Sequence, residues 1–324
     1  MALMRERMGI GFLGFPGIRS MAEFGIASEA AGFDSVWIAE TRITRDAVTA
    51  MTAVLLSTQQ VRVGSAAINV FTRGAALTAI TWSALAEAAP DRVILGIGPG
   101  SPAPLQQQGY EFDVPLERMC EFVEAIRSAW AGTAPVDYHG RHVRFEALTP
   151  EVLPDYPPPI YLCVTGPLAM GHAGRLGDGV VLNAFMPPEY VERSRGLLDR
   201  GAGGTFEGEV AGALVTAIAD SPEQAAARVR PILATYLVHF PNLASETGVD
   251  PEFLTRLRAV AAAEGLEATF PLLSTETVCR HALCGTPSDC LKRIEDYRAA
   301  GLQLPVLFPD PESVRPVIEK LARA

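Results

Sequence analysis

Lysine is almost absent from this chain of 324 residues: Lys292 and Lys320 stand alone among 27 basic residues. Acidic residues number 37, so the net charge is −10 and the isoelectric point lies near 5.1. A chain this acidic lacks the basic footprint that neutralises phosphates, which argues against nucleic acid as a partner. Cysteine is also scarce. Cys120, Cys163, Cys279, Cys284 and Cys290 are an odd number in a chain too large to need staples, which predicts no disulfide framework and suits a reducing, cytoplasmic compartment. No apolar run reaches bilayer-spanning length, so no membrane partner is expected. The opening MALMRERMGIGFLGFPGI is charged and then apolar, but Pro16-Gly17 interrupts it and no small-residue cleavage site follows. It reads as a buried first strand.

Familiar catalytic patterns are missing as well. Cys279, His281, Cys284 and Cys290 crowd one stretch, yet their spacing matches no zinc site, and they are expected on helical segments as packing residues with no metal. No Ser-His-Asp or Cys-His arrangement is supported by placement. The fingerprint G-x-G-x-x-G of dinucleotide-binding folds is absent too.

What the chain does have is repetition: a short apolar run, a turn and an amphipathic helix, several times over. The runs are at 8–14, 33–39, 61–69, 92–98, 158–164, 178–185, 209–219 and 302–309. Apolar, β-branched runs separated by helices describe strands buried on both faces of a parallel sheet. Eight of them predict an α/β fold closed as a (β/α)8 TIM barrel, in preference to an open doubly wound sheet. The whole chain, 1–324, reads as one such domain. Insertions are expected after strand four, with a hairpin at about 134–148, and between strands seven and eight, with a helical region at about 235–285. The segment 101–113 reads as a long polar loop.

Barrels of this kind carry their sites at the carboxyl ends of the strands. Strand four raises the sharpest question, because DRVILGIGPGS ends in three alternating glycines, Gly96, Gly98 and Gly100. Such a stretch is either a tight turn or a place where a ligand meets backbone. A second glycine-containing loop, Thr165-Gly166-Pro167, opens a helix after strand five, where free N–H groups favour a phosphate. Together they suggest a flat-ringed, phosphate-bearing cofactor held by Gly98, Pro99, Gly100 and Ser101, and by Thr165, Gly166 and Pro167. Glu40, at the end of strand two beside Thr41 and Arg42, is the one acidic residue at these ends. It is either an acid for substrate or a salt-bridge partner of Arg42, Arg45 or Arg73. Asn69 either touches a cofactor or caps a turn. The helix GAALTAITWSALAEAA carries one charge, Glu87, and is apolar nearly all round; it predicts a second copy of the chain packed against it, with coverage by the chain's own extra helices as the alternative.

The segments EAAGFDSVWIAET, VRVGSAAINVFTRGAALTA, DRVILGIGPGS, YEFDVPLERMCEFVEAIRSAWAG, AGRLGDGVVLN and GTPSDCLKRIEDYRAAG, in that order, resemble the bacterial-luciferase-like superfamily, and within it the coenzyme F420-dependent branch akin to methylenetetrahydromethanopterin reductase. The resemblance implies a deazaflavin lying across the strand ends. It further implies a non-prolyl cis peptide at Ala66-Ala67 behind the ring; Asn183, at the end of strand six, is a further candidate beside the cofactor. The activity it implies is hydride transfer between F420 and a small organic substrate, with Glu40 as acid or orienting group. Several members of the family have Asp-His where this chain has Glu40-Thr41, which argues against a sugar-phosphate dehydrogenase. The alternatives are an FMN-dependent monooxygenase of the same fold and a flavin-binding protein without turnover. The loop 101–113 and the segment 235–275 are expected to shape the substrate pocket.

Overall fold

In the computed structural model, residues 7–13, 15–40, 45–132 and 135–321 are described. Eight parallel strands close into a barrel: β1 (Gly9–Phe12), β2 (Ser35–Ile38), β3 (Arg62–Ser65), β4 (Val93–Gly98), β5 (Ile160–Val164), β6 (Gly179–Leu182), β7 (Glu209–Ile218) and β8 (Leu304–Pro309). Each pairs with its neighbours in chain order, and closure comes from β8 against β1, with Gly9 opposite Val306. Helices such as Ile18–Ala31, Ala47–Ser57 and Ala75–Ala88 return the chain between strands. The (β/α)8 fold read from the sequence is the fold of the protein.

Alternation along the strands divides the core in two. Side chains that point into the barrel, among them Trp37, Ile94, Tyr161, Val306 and Phe308, fill its interior. Those that point outward, among them Ile10, Val36, Val63 and Leu162, pack against the helices. At the amino ends of the strands an ionic cluster closes the barrel. Asp34 accepts from Arg7 Nε at 2.6 Å and Arg62 Nη2 at 2.5 Å, and Glu209 bonds Arg7 and accepts from the Tyr161 hydroxyl at 2.8 Å.

Two segments differ from the sequence reading. The loop expected over 101–113 contains a short helix, Pro102–Gln106, because Pro102 fits a first helical turn where no N–H is needed. The region between β7 and β8 is helical except at Leu283–Gly285, a short strand that carries Cys284 and pairs with Thr216–Ile218. The reason is length: β7 runs ten residues, and its last two lie past its pairing with β8, so its outer end would otherwise leave backbone groups unpaired. Around this strand the helices Pro222–His239 and Pro251–Glu264 form their own apolar cluster.

Candidate active site

β3 is broken before it reaches the barrel rim. After Ser65 comes a cis peptide, Ala66-Ala67, and pairing with β4 resumes only at Ile68–Asn69, with Ile68 opposite Ile97. Ser65 bridges the break, its hydroxyl accepting from Gly96 N and donating to Gly96 O, both at 2.9 Å. The three glycines of β4 therefore have separate reasons. Gly96 faces the Ser65 carbonyl too closely for any side chain, a Cβ on Gly98 would sit in ordinary contact with the Cys163 carbonyl at 3.4 Å and Ala67 Cβ at 3.5 Å, and Gly100 turns the chain at φ +79. The first of these is required by the chain's own packing.

Above this break lies a cavity of about 1190 Å³, lined by Glu40, Ala66, Ala67, Asn69, Gly98, Pro99, Gly100, Ser101, Thr165, Gly166, Pro167 and Asn183. Every residue singled out for the site in the sequence thus borders one space. Its far wall, with His239, Phe240 and Asn242, comes from the insertion between β7 and β8; Leu105, Gln108 and Phe112 come from the segment after β4. Cys163, Arg45 and Asp46 also line it and were not singled out. Strand alternation could have found Cys163, which shares the inward face of β5 with Tyr161. Burial pushes its thiol up to about 12, so it stays a neutral thiol near pH 7.

Individual side chains narrow the chemistry. Asn69 Oδ1 accepts from Phe71 N and Thr72 N at 3.0 Å, and its Nδ2 donates to the Thr72 hydroxyl at 2.9 Å, which is the turn-capping arrangement. Asn183 Oδ1 accepts from Ala184 N at 2.8 Å. The Thr165 hydroxyl, in contrast, is buried with no hydrogen-bond partner among the described residues. Gly166, at φ +89, has open space where a Cβ would stand, and Pro167 begins the helix Pro167–Leu176. An orphaned hydroxyl, an open glycine and the first turn of a helix make a cradle for an anion.

Glu40 Oε2 accepts from Ala47 N at 2.8 Å, and its Oε1 lies 4.0 Å from Arg73 Nε. Burial raises the Glu40 carboxyl above its ordinary value; the Ala47 bond and Arg73 oppose that rise without cancelling it. Thr41 and Arg42 lie outside the described residues. His281, away from the cavity, has its ring nitrogens 2.7 Å from Thr277 O and 3.1 Å from Thr247 O, tying a helix to a loop.

Residues 4–304 match the family described as luciferase-like monooxygenase. The chain belongs to that family. Within it, a 5,10-methylenetetrahydromethanopterin reductase from Methanolobus tindarius is 27% identical over 305 residues, 91% of each chain. The coenzyme F420-dependent tetrahydromethanopterin reductase of Methanopyrus kandleri has a TM-score of 0.86 at 21% identity, with 98% of both chains covered. An F420-dependent secondary alcohol dehydrogenase has a TM-score of 0.80 at 22% identity, covering 98% of this chain and 99% of its own. At those identities the two structures establish the shared barrel. The cis bond that follows β3 and the loops that follow β4 and β5 border the cavity of this family member.

Proposed function

We propose that this protein is a coenzyme F420-dependent oxidoreductase that transfers a hydride between the deazaflavin ring and a small organic substrate. The observation that carries this reading is the likeness, along nine-tenths of both chains, to a methylenetetrahydromethanopterin reductase. The residues fit the group. The cavity has the volume for a tricyclic ring with a phosphate-bearing tail, and the Thr165 hydroxyl with the first turn of Pro167–Leu176 suits its phosphate.

When bound, F420 supplies or accepts a hydride at its central ring carbon; the protein's residues do the rest. Ala66, Ala67 and Gly98 would give a flat wall for the ring, with Pro99, Gly100 and Ser101 continuing it. Asn69 would act by fixing the turn through Thr72, since its amide is engaged there. Phe112 and Phe240 would keep water from the reacting carbon. Glu40, with its carboxyl raised by burial, would hand a proton to the substrate or take one from it.

A homodimer is part of the proposal. Leu77 and Ile80 on Ala75–Ala88 are 55% and 44% exposed, and Leu56 on Ala47–Ser57 is 65% exposed. The chain's own helices leave this face open, which supports a second copy as its cover.

Two variants test the reading together. Gly98→Val is expected to weaken F420 binding about tenfold or more by filling the wall beside Ala67 and Cys163. Glu40→Gln is expected to leave binding within a few-fold while turnover falls about tenfold or more. Unchanged binding in the first variant would remove the cofactor from this wall; unchanged turnover in the second would return Glu40 to a purely structural role.

A further inference from the structure

The Glu40 carboxyl lies next to a tighter ion pair that it does not share. Arg73, in the turn after Asn69, reaches two carboxylates: its Nη2 is hydrogen-bonded to Asp46 Oδ2, while its Nε stays 4.0 Å from Glu40 Oε1. Asp46 is pinned on its other oxygen. Oδ1 caps the helix Ala47–Ser57 by accepting from the backbone N–H of Thr49 at 2.7 Å and its hydroxyl at 2.8 Å. A carboxylate tied to a helix on one side and to a guanidinium on the other is a fixed point, and Arg73 is held to it.

An arginine this close to a mostly buried carboxylate would ordinarily turn its planar fork onto it, and such a bidentate pair keeps the acid ionised. Here the fork is turned the other way. Among the described residues Glu40 is left with one backbone hydrogen bond, from Ala47, and a side chain 15% exposed on the cavity wall.

We propose that Asp46 is a positioning residue: it draws Arg73 off Glu40 and so leaves the Glu40 carboxyl free to hold and release a proton toward the cavity. This rests on reading Glu40 as the proton-transferring group. Among the described residues the charged groups that face Glu40 are Arg73, from the turn after β3, and Asp46, from the segment leading into the helix; Arg45 lines the same cavity. Asp46 therefore acts twice, by removing a cation from contact and by placing a negative charge nearby.

The protonation of Glu40 can be followed without substrate, from its carboxyl stretch in infrared spectra recorded across pH and assigned by its loss in Glu40→Gln. Asp46→Asn keeps a helix-capping acceptor but lacks the charge that holds Arg73. The Glu40 midpoint is expected to fall by about one pH unit, a tenfold change in its acid dissociation constant. In an Arg73→Gln background, with no guanidinium to release, the same substitution is expected to lower it by less than about a third of that. Equal falls in the two backgrounds would mean that Asp46 acts only through its own charge, and no fall would mean that Arg73 does not move; either overturns the proposal. Should Asp46→Asn unfold the chain, Asp46→Ser, another capping residue, carries the same comparison. The readout also separates this proposal from the one beneath it: a shifted midpoint alongside unchanged turnover in Glu40→Gln would keep the clamp and discard the acid.

Discussion

A Cβ atom placed on Gly96 would lie 1.8 Å from the carbonyl oxygen of Ser65. The Ser65 hydroxyl stitches the two strands together there by bonding both polar groups of Gly96. Gly96→Ala is therefore expected to destabilise the fold by about 3 kcal/mol or more, since neither backbone segment can give way cheaply. Ser65→Ala removes no volume clash but leaves a buried N–H and C=O without partners, for about 1–3 kcal/mol. Urea unfolding midpoints check both.

Thr165 gives a prediction of the opposite kind. Its hydroxyl is buried and has no hydrogen-bond partner among the described residues, so Thr165→Val is expected to leave the free protein as stable as before or slightly more so. Cofactor affinity is expected to fall about three- to tenfold, the worth of one hydrogen bond. Thermal melting with and without F420 reads the two effects separately.

The ionic cluster at the amino ends of the strands sets an acid limit. Burial alone would raise the Asp34 carboxyl, but the hydrogen bond from Arg7 and the charges of Arg62 and Arg7 outweigh it and hold the group below its ordinary value. A carboxyl lowered in the folded state contributes stability above its unfolded value, near pH 4, and loses it as pH falls through the folded value. Asp34→Asn is accordingly expected to cost about 2 kcal/mol at pH 7, a figure below that of a fully buried pair because Asp34 retains some exposure. The gap between variant and parent is expected to narrow as pH falls below about 4. Unfolding curves at several pH values test the sign.

The apolar face of Ala75–Ala88 gives a fourth. Leu77→Glu together with Ile80→Glu is expected to shift the protein to a smaller species in sedimentation velocity, with the barrel's circular dichroism unchanged. An unchanged sedimentation coefficient would remove that face from any interface.

Much of this was legible in the chain itself, for a physical reason. Strands buried on both faces must be continuously apolar, so RVILGIG and YLCV announce themselves, and a closed barrel then assigns its working residues to the strand ends. Glu40, Gly98 and Thr165 follow from that geometry. What was not legible depends on contacts between distant segments. That Gly96 makes room for Ser65 and that Arg73 faces Asp46 more than Glu40 are consequences of packing between elements, for which the local pattern holds no signal. The short strand around Cys284 was hidden similarly, because the need for it arises from the free end of β7.

The central claim is the identity of the cofactor, and the most direct measurement is a parallel titration of the purified protein with F420 and FMN, following each cofactor's own fluorescence. The account expects F420 to bind at least about tenfold more tightly than FMN, a difference of about 1.4 kcal/mol. Tighter binding of FMN, or binding of neither, would contradict it.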